Sequence, residues 1–197
     1  MMPRIYATII GCFLLTASSM TKAEDGPDVG AHSAAQSAAD VIKEASGADG
    51  AFLAAGILKR SYQKDNLASL LQYPTNTIIV LSLTGSQIRA AFERSLSLYP
   101  QPNEGFLQIS GFEVNFKKVG SPNSRVISIN VGNAKLEDGK SYTIAMPSTL
   151  AHGGLGYFKI WEKAKIVKTL DPLTIEEVLR GKKASDTSSR WLGVSSP

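Results

Sequence analysis

The chain has 197 residues, 19% of them charged, with 21 Lys and Arg against 17 Asp and Glu and a formal net charge of +4. That near-balance gives no electrostatic case for a nucleic-acid partner, and a single cysteine, Cys12, excludes a disulfide-stapled fold and a cysteine metal site. The length fits one domain with a proper core.

At the N-terminus, Arg4, an apolar run from Ile5 to Ala17 and small polar residues ending in Thr21-Lys22-Ala23 read as a secretory signal peptide cut after Ala23. The run is short of the roughly 20 residues that span a bilayer, so no stable membrane insertion is expected. Ile9-Ile10-Gly11-Cys12 offers a second reading, a lipoprotein box, against which the apolar run continues through Phe13-Leu14-Leu15. The expected organisation is a signal peptide over 1–23, a flexible segment over 24–33 and one domain over 34–197, in a secreted or periplasmic protein.

"AAQSAADVIKEAS" reads as an alanine-rich helix capped by Ser33 and stopped by Gly47. "GAFLAA" is a short buried strand, and "DNLASLLQ" a short helix capped by Asp65. The β-branched run Thr77 to Leu83 predicts a strand ending at Thr84-Gly85, and the next stretch places Ile88, Ala91, Phe92, Leu96 and Tyr99 on one helical face. "FLQISGFEVNFK", "RVISINV" and "SYTIAMP" read as three strands joined by turns at Gly120 to Asn123 and at Asp138-Gly139. A glycine loop follows, then "KIVKTL" as a strand and "PLTIEEVLRG" as a helix with Pro172 near its start and Gly181 at its end. The fold class is α+β, a single domain with mixed β-sheets covered by helices. Lys163, Lys165, Lys168, Arg180, Lys182 and Lys183 are interleaved with Glu162, Asp171, Glu176 and Glu177, the pattern of a solvated face.

Metal-dependent hydrolysis needs clustered ligands, and the two histidines, His32 and His152, are far apart in sequence and in no metal motif. No cofactor is expected. Nor is there a G-x-S-x-G elbow; Ser110, beside Gly111 in a strand pattern, marks a bend or bulge rather than a nucleophile served by His152. The loop Gly153-Gly154-Leu155-Gly156 is neither a dinucleotide fingerprint nor a Walker loop, and a tight turn is its plainest explanation.

"GADGAFLAAGILK", "YPTNTIIVLSLTGSQIRAAFERSL", "FLQISGFEVNF" and "YTIAMPSTLAHGGLGY" together resemble, in content and order, the C-terminal domain of 5'-nucleotidases, the group that includes UDP-sugar hydrolases and ecto-5'-nucleotidases. The resemblance implies a domain that holds the nucleoside while an N-terminal metallophosphoesterase domain carries the metals. The candidate ligand-binding positions it marks are Lys59, Asn76, Thr149, Gly153, Gly154, Leu155 and Tyr157, with no catalytic residue among them.

Five positions depart from the family pattern. The two base-stacking phenylalanines fall on Pro74 and Thr149, the pocket asparagine on Ala54 and the arginine on Lys59. Leu155 stands where the resemblance implies an aspartate that accepts from ribose hydroxyls. Tyr73 offers a neighbouring ring.

The expected function is a non-catalytic binding or scaffold module with a degenerate nucleoside pocket. The alternatives are the substrate-binding half of a split 5'-nucleotidase, partnered by a separate metallophosphoesterase and taking a nucleotide or other small ligand, and a hydrolase using His152 as base. Asn76 is expected to support its own turn, Tyr157 and Phe158 to pack into the core, Trp161 and Trp191 to lie in the core or cover it, and Lys59 and Arg60 to be solvated unless they meet an anion.

Overall fold

The computed structural model describes residues 26–195, and the expected signal peptide and lipoprotein box lie outside them. In chain order the first elements are α1 (Ser33–Ser46), β1 (Gly50–Ala54), β2 (Thr77–Thr84), α2 (Gly85–Ser95), β3 (Leu107–Ser110), β4 (Phe112–Lys117) and β5 (Val126–Val131). There follow β6 (Ala134–Lys135), β7 (Ser141–Pro147), α3 (Ser148–Ala151), α4 (Phe158–Trp161), β8 (Lys165–Thr174), α5 (Ile175–Leu179) and β9 (Trp191–Val194). Short 3-10 turns occupy Ala55–Ile57, Leu67–Leu70 and Gly154–Gly156.

Two mixed sheets form the frame, one ordered β3-β1-β7-β2-β8 and the other β6-β5-β4-β9. Strand β1 runs antiparallel to β3 and parallel to β7, and its side chains alternate between two cores. Ala51 and Leu53 join the core under α1, where Ala34, Ala35, Ala38, Ala39 and Ile42 are all fully buried; the small side chains let this helix lie close to the sheet. Phe52 and Ala54 join the larger core with α2 and the second sheet, where Phe52, Phe92, Phe112 and Trp191 meet at tilted and edge-on angles. Because both faces of β1 are covered, the strand reads as an unbroken apolar run.

The run read as one strand from Phe106 to Lys117 is two strands in different sheets. Gly111 sits at φ 83°, and a Cβ there would lie 2.2 Å from Asp49 O, so the chain turns out of the first sheet where only glycine fits. The β2–α2 corner is a reciprocal cap: Thr84 Oγ1 accepts from Gln87 N and Gln87 Oε1 accepts from Thr84 N (2.9 Å).

Other elements differ in detail from expectation. Helix α1 is capped by His32, whose Nδ1 accepts from Ala35 N, and Ser33 is already inside the helix. The expected helix at Asp65 is a 3-10 turn capped by Asn66, whose side chain accepts from Ala68 N. Pro172 lies within β8, and α5 starts instead at the Thr174 cap, where Glu177 closes a second capping box. Strands β6 and β9 had no counterpart in the sequence reading. From Gly26 onward the segment read as flexible is tied down by Gln108, which donates to Pro27 O and Gly30 O and accepts from His32 N. Among the described residues no helix is long and apolar enough to cross a membrane.

Candidate ligand crevice

The pairing of Ile78 with Pro147 sets the start of β2 beside the end of β7 and brings Asn76 against the first turn of α3. The Asn76 carboxamide is held there at both its oxygen and its nitrogen. Its Oδ1 accepts from Ser148 Oγ (2.9 Å), Thr149 N (3.1 Å) and Thr149 Oγ1, and its Nδ2 donates to Tyr73 O (3.1 Å). Asparagine is suited to this because one short side chain both accepts and donates.

After α3 the chain turns back through three left-handed residues, Gly153 (φ 89°), Leu155 (φ 58°) and Gly156 (φ 86°). Each glycine of the loop is demanded by the protein itself. A Cβ on Gly153 would lie 2.4 Å from Phe158 Cα, one on Gly154 2.7 Å from Thr149 O, and one on Gly156 2.2 Å from Arg94 Nη2. Arg94 donates to Leu155 O (2.9 Å) and spreads over the Tyr157 ring at 5.9 Å. Leucine in the left-handed region carries a steric cost of about 1–2 kcal/mol that glycine, asparagine or aspartate largely escapes. Its side chain is half-buried at the edge of both cores, and a Cβ on Gly56 would lie 3.0 Å from Leu155 Cδ2.

Between this loop and the segment before β2 lies an open crevice of about 410 Å³ whose lining includes Gly56, Gln72, Tyr73, Asn76, Glu104, Thr149 and Leu155. Of the seven positions marked in the sequence, Asn76, Thr149 and Leu155 line it, while Gly153 and Gly154 shape the loop behind. Tyr157 is fully buried, its hydroxyl donating to Gly105 O (2.6 Å) and its ring stacked on Trp161. Burial pushes the Tyr157 phenol far above the ordinary tyrosine range, with the Arg94 guanidinium opposing the rise. Lys59 is exposed and outside the crevice; its backbone N donates to Leu70 O. Ala54 is buried in the larger core.

Gln72 and Glu104 were missed by sequence reasoning, since no motif marks them and only the fold brings their loops together. Phe158 is 63% exposed rather than packed, whereas Trp161 and Trp191 are core residues. Ser110 donates to Asp40 on α1 while His152, exposed on the loop, donates through Nδ1 to Ser148 O (2.7 Å). Among the described residues no three His, Cys, Asp or Glu side chains gather to hold a metal ion.

The sequence profile described as "5'-nucleotidase, C-terminal domain" matches residues 16–162. The 5'-nucleotidase of Diplobatis ommata is 39% identical over 103 residues, 48% of this chain and 18% of that protein, and the snake venom 5'-nucleotidase of Macrovipera lebetinus is 37% identical over 101 residues, 47% and 24%. The chain thus spans about a fifth of the length of these relatives. In structure it is similar to the 5'-nucleotidase precursor of Thermus thermophilus, with a TM-score of 0.71 at 21% identity over 88% of this chain and 38% of that one. The sulfate thiohydrolase SoxB of a Thermus species has the same fold at a TM-score of 0.60 and 18% identity, over 82% and 32%. With the profile covering most of its length and the architecture shared, the chain belongs to the 5'-nucleotidase C-terminal domain family.

Proposed function

We propose that the chain is a secreted or periplasmic, non-catalytic member of this family, a binding or scaffold module whose crevice no longer holds a nucleoside. The supporting observation is the state of the crevice wall: the acceptor of Asn76 is spent on Ser148 and Thr149, and at the sugar-facing position Leu155 presents a side chain that cannot accept a hydrogen bond. Ribose hydroxyls buried against that wall would lose their water partners at about 1–3 kcal/mol each. The base would fare no better, because Thr149 and Pro74 offer no aromatic face and Tyr73 alone cannot sandwich it, and stacking on an aromatic contributes about 1–3 kcal/mol per base. Titration calorimetry with adenosine and with a UDP-sugar is expected to give no heat of binding below millimolar concentration. Micromolar affinity for either, lost when Thr149 is replaced by Trp, would overturn the proposal.

Membership of the 5'-nucleotidase C-terminal domain family supports one second reading, the substrate-binding half of a split 5'-nucleotidase. A separately expressed metallophosphoesterase would then release phosphate from a nucleotide only with this chain added. No gain on mixing excludes it.

A further inference from the structure

A second cavity, of about 620 Å³, shares no lining residue with the crevice beside the glycine loop. It forms where residues 29–31, the Tyr99-Pro100 pair, the end of β4 and the edge strand β9 come together. The core side chains Phe106, Phe116 and Trp191 line it with the partly exposed Tyr99 and the exposed Leu192 and Val194. The rings hold one another: Tyr99 meets Phe116 edge-on at 5.0 Å, and Trp191 meets Phe106 at 5.0 Å and Phe116 at 6.1 Å. A preformed apolar lining of this size suits a small organic ligand, because little has to be reordered to receive it.

The polar groups decide which charge fits. Those of Ser189 and Trp191 are spent within the protein: Ser189 Oγ donates to Trp191 O (2.8 Å) and accepts from Trp191 N, and Trp191 Nε1 donates to Leu107 O (2.9 Å). Strand β9 meets β4 through Arg190 O and Val194 O, which accept from Val114 N and Lys118 N, so the N–H and C=O of Gly193 fall on its open edge. Lys118 is the one charged side chain lining the cavity, and among the described residues it has no ion-pair partner. Its stem lies along β9. A Cβ on Gly193 would stand 2.8 Å from Lys118 Cε, 3.0 Å from Lys118 Cγ and 2.9 Å from Phe116 Cζ, so the lysine crosses a residue whose lack of a side chain leaves it room.

Arg125, over the Tyr99 ring at 5.9 Å and donating to Lys118 O (2.8 Å), adds positive charge behind the wall, offset in part by Glu93, which accepts from Arg125 N (2.9 Å). Among the described residues no carboxylate lines the cavity. A cationic ligand would meet like charge there, and a metal ion would find no ligand set. A carboxylate would take the ammonium and the Gly193 N–H while its apolar body covers Leu192 and Val194.

We infer that this cavity binds a small apolar carboxylate, an aromatic or aliphatic acid, with its charged group on Lys118 and Gly193 and its body against Tyr99, Leu192 and Val194. This goes beyond the proposed function and is independent of what the crevice holds. Three probes test it, 2-naphthoate, 2-naphthamide and 2-naphthylmethylamine, alike in ring and differing in charge, titrated into the isotope-labelled chain and followed by amide shifts.

The naphthoate is expected to bind roughly tenfold more tightly than the amine and to move the amides of Ala31, Tyr99, Lys118 and Gly193. Lys118→Met keeps an apolar stem on Gly193 and removes the charge; it should erase the preference, retain weak binding of all three probes and leave the unfolding midpoint in place. Gly193→Ala should weaken all three together, since its Cβ presses on Phe116 and the lysine stem. Equal affinity for the three probes, a preference for the amine, a preference that survives Lys118→Met, no shift at millimolar probe, or shifts at Tyr73 and Thr149 instead would overturn the inference. So would shifts of the same amides with protein concentration alone, which would assign the groove to a second copy of the chain.

Discussion

Along the wall of the crevice, Gly153, Gly154 and Gly156 each face an atom that would collide with a methyl group, and Asn76 is held by Ser148, Thr149 and Tyr73. At the rim, the side chains of Gln72, Tyr73 and Glu104 line the same space and are exposed. The wall is therefore constrained by internal packing, and the rim side chains are not. A glycine loop that looks like a binding motif is explained here by what the fold needs, whatever the crevice holds, while exposed acids and rings at the rim are free to change without disturbing the core.

The largest test of that division is Gly153→Ala. The backbone at φ 89° and the Phe158 main chain 2.4 Å from the new Cβ leave no room for local relief. The expected loss is about 3 kcal/mol, a fall in Tm of roughly 6–12 °C for a domain of this size, measured by calorimetry. A neutral outcome would mean that the loop is not fixed by packing, and the comparison would collapse. By contrast, Gln72→Ala at the rim is expected to stay within about 0.5 kcal/mol of the parent.

Asn76→Ala comes next. It strips an acceptor from Ser148 Oγ and Thr149 N and a donor from Tyr73 O, and is expected to cost about 1–3 kcal/mol in urea unfolding. Were Asn76 chiefly a ligand contact, its removal would alter binding while leaving the unfolding midpoint in place.

Tyr157→Phe should be milder at neutral pH, about 1 kcal/mol for the lost bond to Gly105 O, and carries a second signature in alkali. The buried phenol keeps its proton to higher pH than the same phenol in the unfolded chain, which titrates near the ordinary value of about 10. Above that pH the unfolded state binds fewer protons, so stability falls as pH rises, and this contribution is fully present below it. The Phe variant should lack that part of the alkaline slope; identical slopes in the two proteins would place Tyr157 outside the core.

Much of this was legible in the sequence, for identifiable reasons. The β2–α2 corner is written locally: a β-branched run, a threonine, a glycine, and a glutamine three residues past the cap. What failed needed distant partners. The bend or bulge read at Gly111 is a bend, but the run from Phe106 to Lys117 reads as one strand until Asp49 O is known to stand where the Gly111 Cβ would be and the chain to leave the first sheet there. Strand β9 is four residues long and pairs in parallel with β4, more than 70 residues earlier, so only Trp191 hinted at burial. In the crevice, Asn76, Thr149 and Leu155 were found through the family pattern, whereas Gln72 and Glu104 lie on irregular segments that only the finished fold brings together.

Leu155→Asp is the smallest change in stability and the sharpest probe of the boundary between wall and rim. Aspartate tolerates the left-handed region, which should return about 1 kcal/mol of backbone strain, and loses a comparable amount of apolar contact beside Gly56, so the unfolding midpoint should move little. The substitution also places an acceptor at the position where the family resemblance implies one for a sugar. If the crevice is degenerate at several places at once, one carboxylate is not enough: Asn76 is still spent on Thr149, Tyr73 alone cannot sandwich the base, and adenosine should remain a millimolar ligand at best. Micromolar adenosine binding by this single variant would mean instead that the rim had drifted at one residue only, and that the rest of the site had been kept for a nucleoside.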